Sequence, residues 1–137
     1  MPPTTVRRRH GEQAERLAAD HLAARGWTIL ARNVRVGRDE IDILAVDPGP
    51  TPTVVAVEVR SAASRQHGPP EARFDRAKAL RCYRAAFALR AAACLPDGRR
   101  LPRLAWRVDL IAVDLDPSLG PGRGGPALRH LRAVEPP

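Results

Sequence analysis

The stretch Glu40-Ile41-Asp42-Ile43-Leu44-Ala45-Val46-Asp47-Pro48-Gly49-Pro50-Thr51-Pro52-Thr53-Val54-Val55-Ala56-Val57-Glu58-Val59-Arg60 decides the fold. Two runs of branched and apolar residues flank a Pro/Gly loop that cannot be helical and is short enough to join neighbouring antiparallel strands. If this hairpin is symmetric about Pro50, residue i faces residue 100 minus i, and Asp42 lies directly opposite Glu58. Alternation then puts Val54, Ala56, Glu58 and Arg60 on one face and Val55, Val57 and Val59 on the other. Directly opposed Cβ atoms lie about 4.5–5.5 Å apart. Two carboxylates that close repel unless one holds a proton or a cation sits between them. A register slip of one residue would separate the pair.

Working outward, the spacing of Ala14, Leu17, Ala18, His21 and Leu22 predicts a helix from about Gly11 to Arg25, stopped by Gly26. At about 100° per residue, Glu15 falls beside Ala18 and Leu22, on the border of the apolar stripe. Strands are expected at about 27–36, 40–47 and 53–60, then a polar loop over 61–70 and a long Ala/Arg helix over 71–93. A strong strand follows at about 104–115, on which Arg107 and Asp109 share a face and are expected to pair. Lys78 and Arg81 lie on the second helix as candidate nucleic-acid contacts, against the plainer reading of a solvated face. The domain reading is a flexible basic arm over 1–10, one folded unit over 11–116, and a mostly flexible Gly/Pro-rich tail over 117–137, with 130–134 as a short edge strand. The fold class is α/β, a mixed central sheet flanked by helices in the order α-β-β-β-α-β.

A chain of 137 residues suits one domain. The 23 Lys and Arg against 15 Asp and Glu leave a net charge of +8, which favours a polyanionic partner such as DNA or RNA. Abundant arginine beside scarce lysine also fits high-GC coding. Cys82 and Cys94 are twelve positions apart on one expected helix, too far for a disulfide at about 1.5 Å per residue, and are read as packing residues. There is no CxxC pair for a zinc or redox centre. No stretch approaches the roughly 20 apolar residues of a membrane span, and the N-terminus lacks the apolar segment of a signal peptide. A cytoplasmic protein with no membrane association is expected.

Mg²⁺ takes oxygen ligands, keeping several waters beside one or two carboxylates and a substrate phosphate. Asp42 and Glu58 match that donor set, with the Val59 carbonyl as a further ligand. An ion there can activate water and neutralise charge developing on a phosphodiester. Arg60, on the face of Glu58, is placed to hold a phosphate. It cannot be the general base, because guanidinium keeps its proton in proteins.

The helical Glu15, Gly26-Trp27-Thr28-Ile29-Leu30-Ala31-Arg32-Asn33, Glu40-Ile41-Asp42-Ile43-Leu44, Val57-Glu58-Val59-Arg60, His67-Gly68-Pro69-Pro70, Lys78 and Arg107-Val108-Asp109-Leu110-Ile111-Ala112 occur in an order that resembles the UPF0102 (YraN-like) family of small bacterial proteins. The resemblance covers roughly residues 11–115 and implies a restriction-endonuclease-like fold related to archaeal Holliday-junction resolvases. Carried over, the superfamily's helical acid falls on Glu15, its Asp on Asp42 and its Glu-x-Lys on Glu58-Val59-Arg60. Arg60 thus replaces a lysine, and Asp39 stands where the family commonly has glycine.

Together these readings give a nucleic-acid-binding protein, DNA being the expected partner, and a Mg²⁺- or Mn²⁺-dependent endonuclease. Asp42 and Glu58 hold the ion, Glu15 orients a water or completes the site, and Arg60 meets the scissile phosphate. A homodimer suits an enzyme that cuts two strands, although no dimer face is legible. The rivals are a catalytically silent nucleic-acid-binding module and a basic protein-interaction module. For Asp42 and Glu58 themselves the alternative is a structural cluster satisfied by Arg60, Arg107 or backbone groups. His21 and His67 are read as structural, and Trp27 and Trp106 as core rather than base-stacking platforms.

Overall fold

The computed structural model of the chain describes residues 4–116 and 127–136. Helix α1 (Thr4–Ala24) is followed by β1 (Thr28–Val36), β2 (Asp39–Asp47) and β3 (Thr53–Ala62), then a 3₁₀ turn (Pro70–Arg73), α2 (Arg76–Ala92), β4 (Ala105–Asp114) and β5 (Ala127–Leu131). The five strands form one sheet in sequence order, antiparallel except where β3 and β4 run parallel. This is the expected mixed α/β sheet with helices on its faces, extended by one strand.

Alternation along the strands sorts the core into two layers. Ile43, Ala45, Val55, Val57, Ile111 and Val113 pack with Ala14, Ala18 and Leu22 of α1. Leu44, Val54, Ala56 and Val108 pack instead with Ala85, Ala86 and Leu89 of α2. The alanines let both helices approach the sheet closely, while the branched strand residues supply most of the buried apolar area.

The β2–β3 hairpin has the register read from its sequence, since Ile43 pairs with Val57, Ala45 with Val55 and Asp47 with Thr53. Asp47 also shapes the turn by accepting a 2.9 Å hydrogen bond from the Gly49 N–H. The ladder ends at Ile43 and Val57. Beyond it, β2 continues with β1 alone and β3 with β4 alone, so Asp42 and Glu58 stand at a fork in the sheet.

Three boundaries differ from those read in the sequence. Helix α1 starts at Thr4 rather than about Gly11, so residues 4–10, expected as a basic arm, are helical; a glycine inside a helix costs only about 1 kcal/mol relative to alanine. The long second helix starts at Arg76, because Asp75 is its N-cap and accepts a 2.9 Å bond from the Lys78 N–H. The edge strand begins at Ala127, ahead of the expected 130–134, and pairs Leu110 with Leu131 and Asp114 with Ala127. The rest of the expected tail, 117–126, lies outside the described residues. Among the described residues no helix is long and apolar enough to cross a membrane.

Candidate metal and nucleic-acid site

Strand parity turns Asp42 and Glu58 toward α2, and the fork brings them into contact. Asp42 Oδ2 accepts a 2.8 Å hydrogen bond from the Val59 N–H, a donor that β2 leaves unused once the ladder has ended. Burial raises the Asp42 carboxyl far above the usual carboxylate range, and its hydrogen bond with Glu58 and the Glu58 charge push the same way. The Val59 N–H opposes them but loses. A hydrogen bond between two carboxyl groups requires a proton on one of them.

The second helix closes the site from above. Ala79, Cys82, Ala86 and Leu89 recur at helical spacing on its sheet-facing stripe, and the Cys82 thiol donates to Glu58 Oε2 at 3.1 Å. Burial and the neighbouring Glu58 push the thiol's pKa up, so Cys82 stays a neutral donor. Ile41, Asp42, Ala56, Glu58 and Cys82 line a cavity of about 10 Å³, room for a single water or small ion.

Glu15 approaches from α1, on the opposite side of the sheet. Burial raises its pKa, Arg32 lowers it, and Glu40, Glu12 and Glu58 raise it again. Its Oε1 is buried without a hydrogen-bond partner among the described residues, the condition of an oxygen that lacks a donor or cation. Among those residues no group of three or more His, Cys, Asp or Glu is arranged to hold a metal. The protein therefore offers a carboxyl pair with a third acid standing off. Hard oxygen donors in this number fit a divalent ion that keeps waters and takes a substrate phosphate.

Arg60 shares the face of Glu58 and is half-buried. Its side chain makes no hydrogen bond or ion pair among the described residues, so it does not neutralise the two acids. Arg107, the other cation considered for that purpose, binds Asp109 at 2.7 Å and Asp47 at 3.0 Å instead. Lys78 reaches its own N-cap, Asp75, at 3.5 Å, and Arg81 is exposed. The charge of Asp39, at the start of β2 beside this site, is met by Arg84 through two 2.8 Å bonds. These bonds hold the Asp39 carboxyl below its ordinary range. Neither Cys82 nor Arg84 stood out in the sequence; the α2 stripe was the signal for Cys82, while the Arg84 contact spans 45 positions.

A second ionic cluster lies on the α1 side of the sheet. Asp109 is fully buried and is bonded to Arg107, to His130 Nε2 at 2.8 Å and to the Ala133 N–H at 2.9 Å. Burial alone would raise its pKa, but these partners bring it down to about 2. The expected pairing of Arg107 with Asp109 is thus present, with His130 joined to it. His130 also packs edge-on against Trp27, at 5.4 Å between centroids, so this cluster anchors β5 rather than forming part of the acidic site.

Comparison with known proteins agrees with the residue pattern. The model of the uncharacterised protein family UPF0102 matches residues 14–113. A UPF0102 protein of Arthrobacter sp. (strain FB24) is 36% identical over 124 residues, covering 90% of this chain and 93% of the relative. One from Chlorobaculum tepidum is 40% identical over 103 residues, covering 75% of this chain and 73% of its own. Another, from Moorella thermoacetica, is 39% identical over 114 residues, with 82% and 87% covered. With the family model spanning the helix of Glu15, the fork and β4, the chain belongs to the UPF0102 family.

Proposed function

We propose that this protein binds nucleic acid at the fork of its sheet and hydrolyses phosphodiester bonds with Mg²⁺ or Mn²⁺ held by Asp42 and Glu58. The contact between those two acids carries the reading. Burial and the neighbouring Glu58 keep a proton on Asp42, and a divalent cation would relieve both penalties by displacing it. When bound, the ion supplies Lewis-acid stabilisation of the phosphate and activation of water.

The chain's own residues do the rest. Asp42 would hold the ion as a carboxylate, its proton going to solvent, while its Val59 N–H bond keeps Oδ2 in place. Arg60 holds a non-bridging phosphate oxygen, and its permanent charge suits the developing negative charge of the transition state. Glu15 Oε1 accepts from an incoming water. The net charge of +8 draws a polyanion toward the site.

The test is cleavage of single-stranded and branched DNA with Mg²⁺ or Mn²⁺, by wild type and by Asp42→Ala. Cleavage by wild type that the variant loses supports the reading. Cleavage that persists in the variant, or no cleavage by wild type on any substrate, rules hydrolysis out. In that last case salt-dependent binding identifies a silent nucleic-acid module, and no binding points to a protein partner.

A further inference from the structure

Aromatic residues are scarce in this chain, which has two Trp, one Tyr and two Phe. One of each, Tyr83, Phe87 and Trp106, lines a single groove beside α2. The groove is a hollow of about 200 Å³ that meets a second hollow of about 400 Å³ at Arg90 and Trp106. Phe87 is 62% exposed, the most exposed of the large apolar side chains among the described residues. Its ring lies 6.0 Å from that of Tyr83 at a tilt of 39°, and Tyr83 is fixed by donating its hydroxyl to the Val134 carbonyl. No acidic residue lines either hollow, whereas Arg90 and Arg103 border the larger one.

We infer that this groove is a stacking platform for an unpaired base of a single-stranded or branched nucleic acid. The inference rests on the nucleic-acid reading above and adds the kind of substrate. A pocket for a drug-sized molecule usually measures roughly 300–1,000 Å³; the smaller hollow suits one planar ring. An exposed aromatic face next to unopposed guanidinium groups is the combination that binds single strands without sequence readout. Bases inside a duplex are already stacked and cannot enter, so the groove selects unpaired segments.

Its position suits the same strand that reaches the carboxylates. Trp106 pairs in register with Val54, four residues before Glu58 on the same face, roughly 13 Å away along the strand. Along α2, Phe87 follows Cys82 by five residues, about 7.5 Å of helix rise. A few nucleotides span that interval.

The experiment measures anisotropy of a labelled single-stranded oligonucleotide and of its duplex, at several salt concentrations and in EDTA. Wild type, Phe87→Ala and Arg90→Gln are compared, with circular dichroism confirming that each is folded. Phe87 is exposed, so its truncation leaves the core intact. Phe87→Ala should weaken single-strand binding about tenfold while leaving duplex binding and the salt slope unchanged. Arg90→Gln should lower the salt slope by about one phosphate contact. An oligonucleotide with abasic positions should bind the wild type as weakly as the normal one binds Phe87→Ala.

Equal single-strand affinity of Phe87→Ala and wild type overturns the inference, as does an equal loss on single strand and duplex. A wild-type self-association that Phe87→Ala abolishes also overturns it, by identifying a second copy as the occupant. If wild type cleaves DNA yet Phe87→Ala binds normally, only the stacking platform falls. If Phe87-dependent binding is present without metal-dependent cleavage, the platform stands and hydrolysis falls.

Discussion

The Cys82 thiol donates a 3.1 Å hydrogen bond to Glu58 Oε2, tying α2 to the acidic end of β3. The bond satisfies a carboxylate oxygen that would otherwise face apolar helix, and it leaves the Asp42 side of the pair open to a cation. Cys82→Ala should therefore destabilise the apo protein by about 1–2 kcal/mol, the cost of an unsatisfied partly buried acceptor, whereas Cys82→Ser restores a donor and most of the loss. Urea unfolding in EDTA measures both. Equal stability of the Ala variant and wild type would show that the bond does no work in solution.

The raised Asp42 pKa has a defined sign in stability. The folded protein keeps a proton that the unfolded chain releases above its ordinary Asp value, so wild-type stability should fall as pH rises from about 4 toward about 9. Asp42→Asn removes this slope and should be the more stable protein at pH 8 in EDTA. Mn²⁺ should raise the Tm of wild type with release of a proton, seen as a buffer-dependent binding heat, and should leave the variant unmoved. Parallel pH profiles for the two proteins contradict this account.

Arg60 divides binding from turnover. Because it is paired with neither acid, Arg60→Ala should leave the Mn²⁺-induced Tm shift intact while reducing cleavage about a hundredfold, the range for losing one charge-stabilising donor. Arg60→Lys should recover part of the rate. A loss of the Tm shift in Arg60→Ala would move the residue from phosphate contact to support of the ion site.

Asp109 provides the opposite pH behaviour. Its folded pKa of about 2 lies below the unfolded value, so its contribution is present above about pH 4 and is lost as pH falls toward 2. Asp109→Ala strands Arg107 and His130 and should cost about 3 kcal/mol at neutral pH. Amide exchange at His130 and Leu131 should accelerate more than exchange in β3, because the acid anchors β5. Uniform acceleration would show instead that the whole sheet depends on it.

The sequence made the central hairpin legible because its loop and its alternation are local signals. With five residues between the two strands, register follows from symmetry, and the pairing of Ile43 with Val57 brings Asp42 to Glu58. What lay beyond reach is long-range. Nothing near Arg129 announces that its guanidinium binds Glu71 and Asp114, and nothing near Asp109 announces His130. Trp106, read as core, does pack against the α2 layer, yet its remaining surface lines a groove; periodicity assigns a face but not how far a helix covers it. Helix α1 runs on through Gly11 to Thr4 because a single interior glycine costs too little to stop a helix.

The end of the β2–β3 ladder at Ile43 and Val57 leaves the tip of the β1–β2 hairpin as an overhang. Among the described residues it is held by the Asp42 carboxyl gripping the Val59 N–H of β3 and by the Arg84–Asp39 pair from α2. One side chain is thus both a proposed ligand and a mechanical rivet. Truncation at position 42 removes both at once: Asp42→Ala empties the ion's seat and loosens the arm of the sheet that presents it, whereas Asp42→Asn keeps an oxygen for the Val59 N–H.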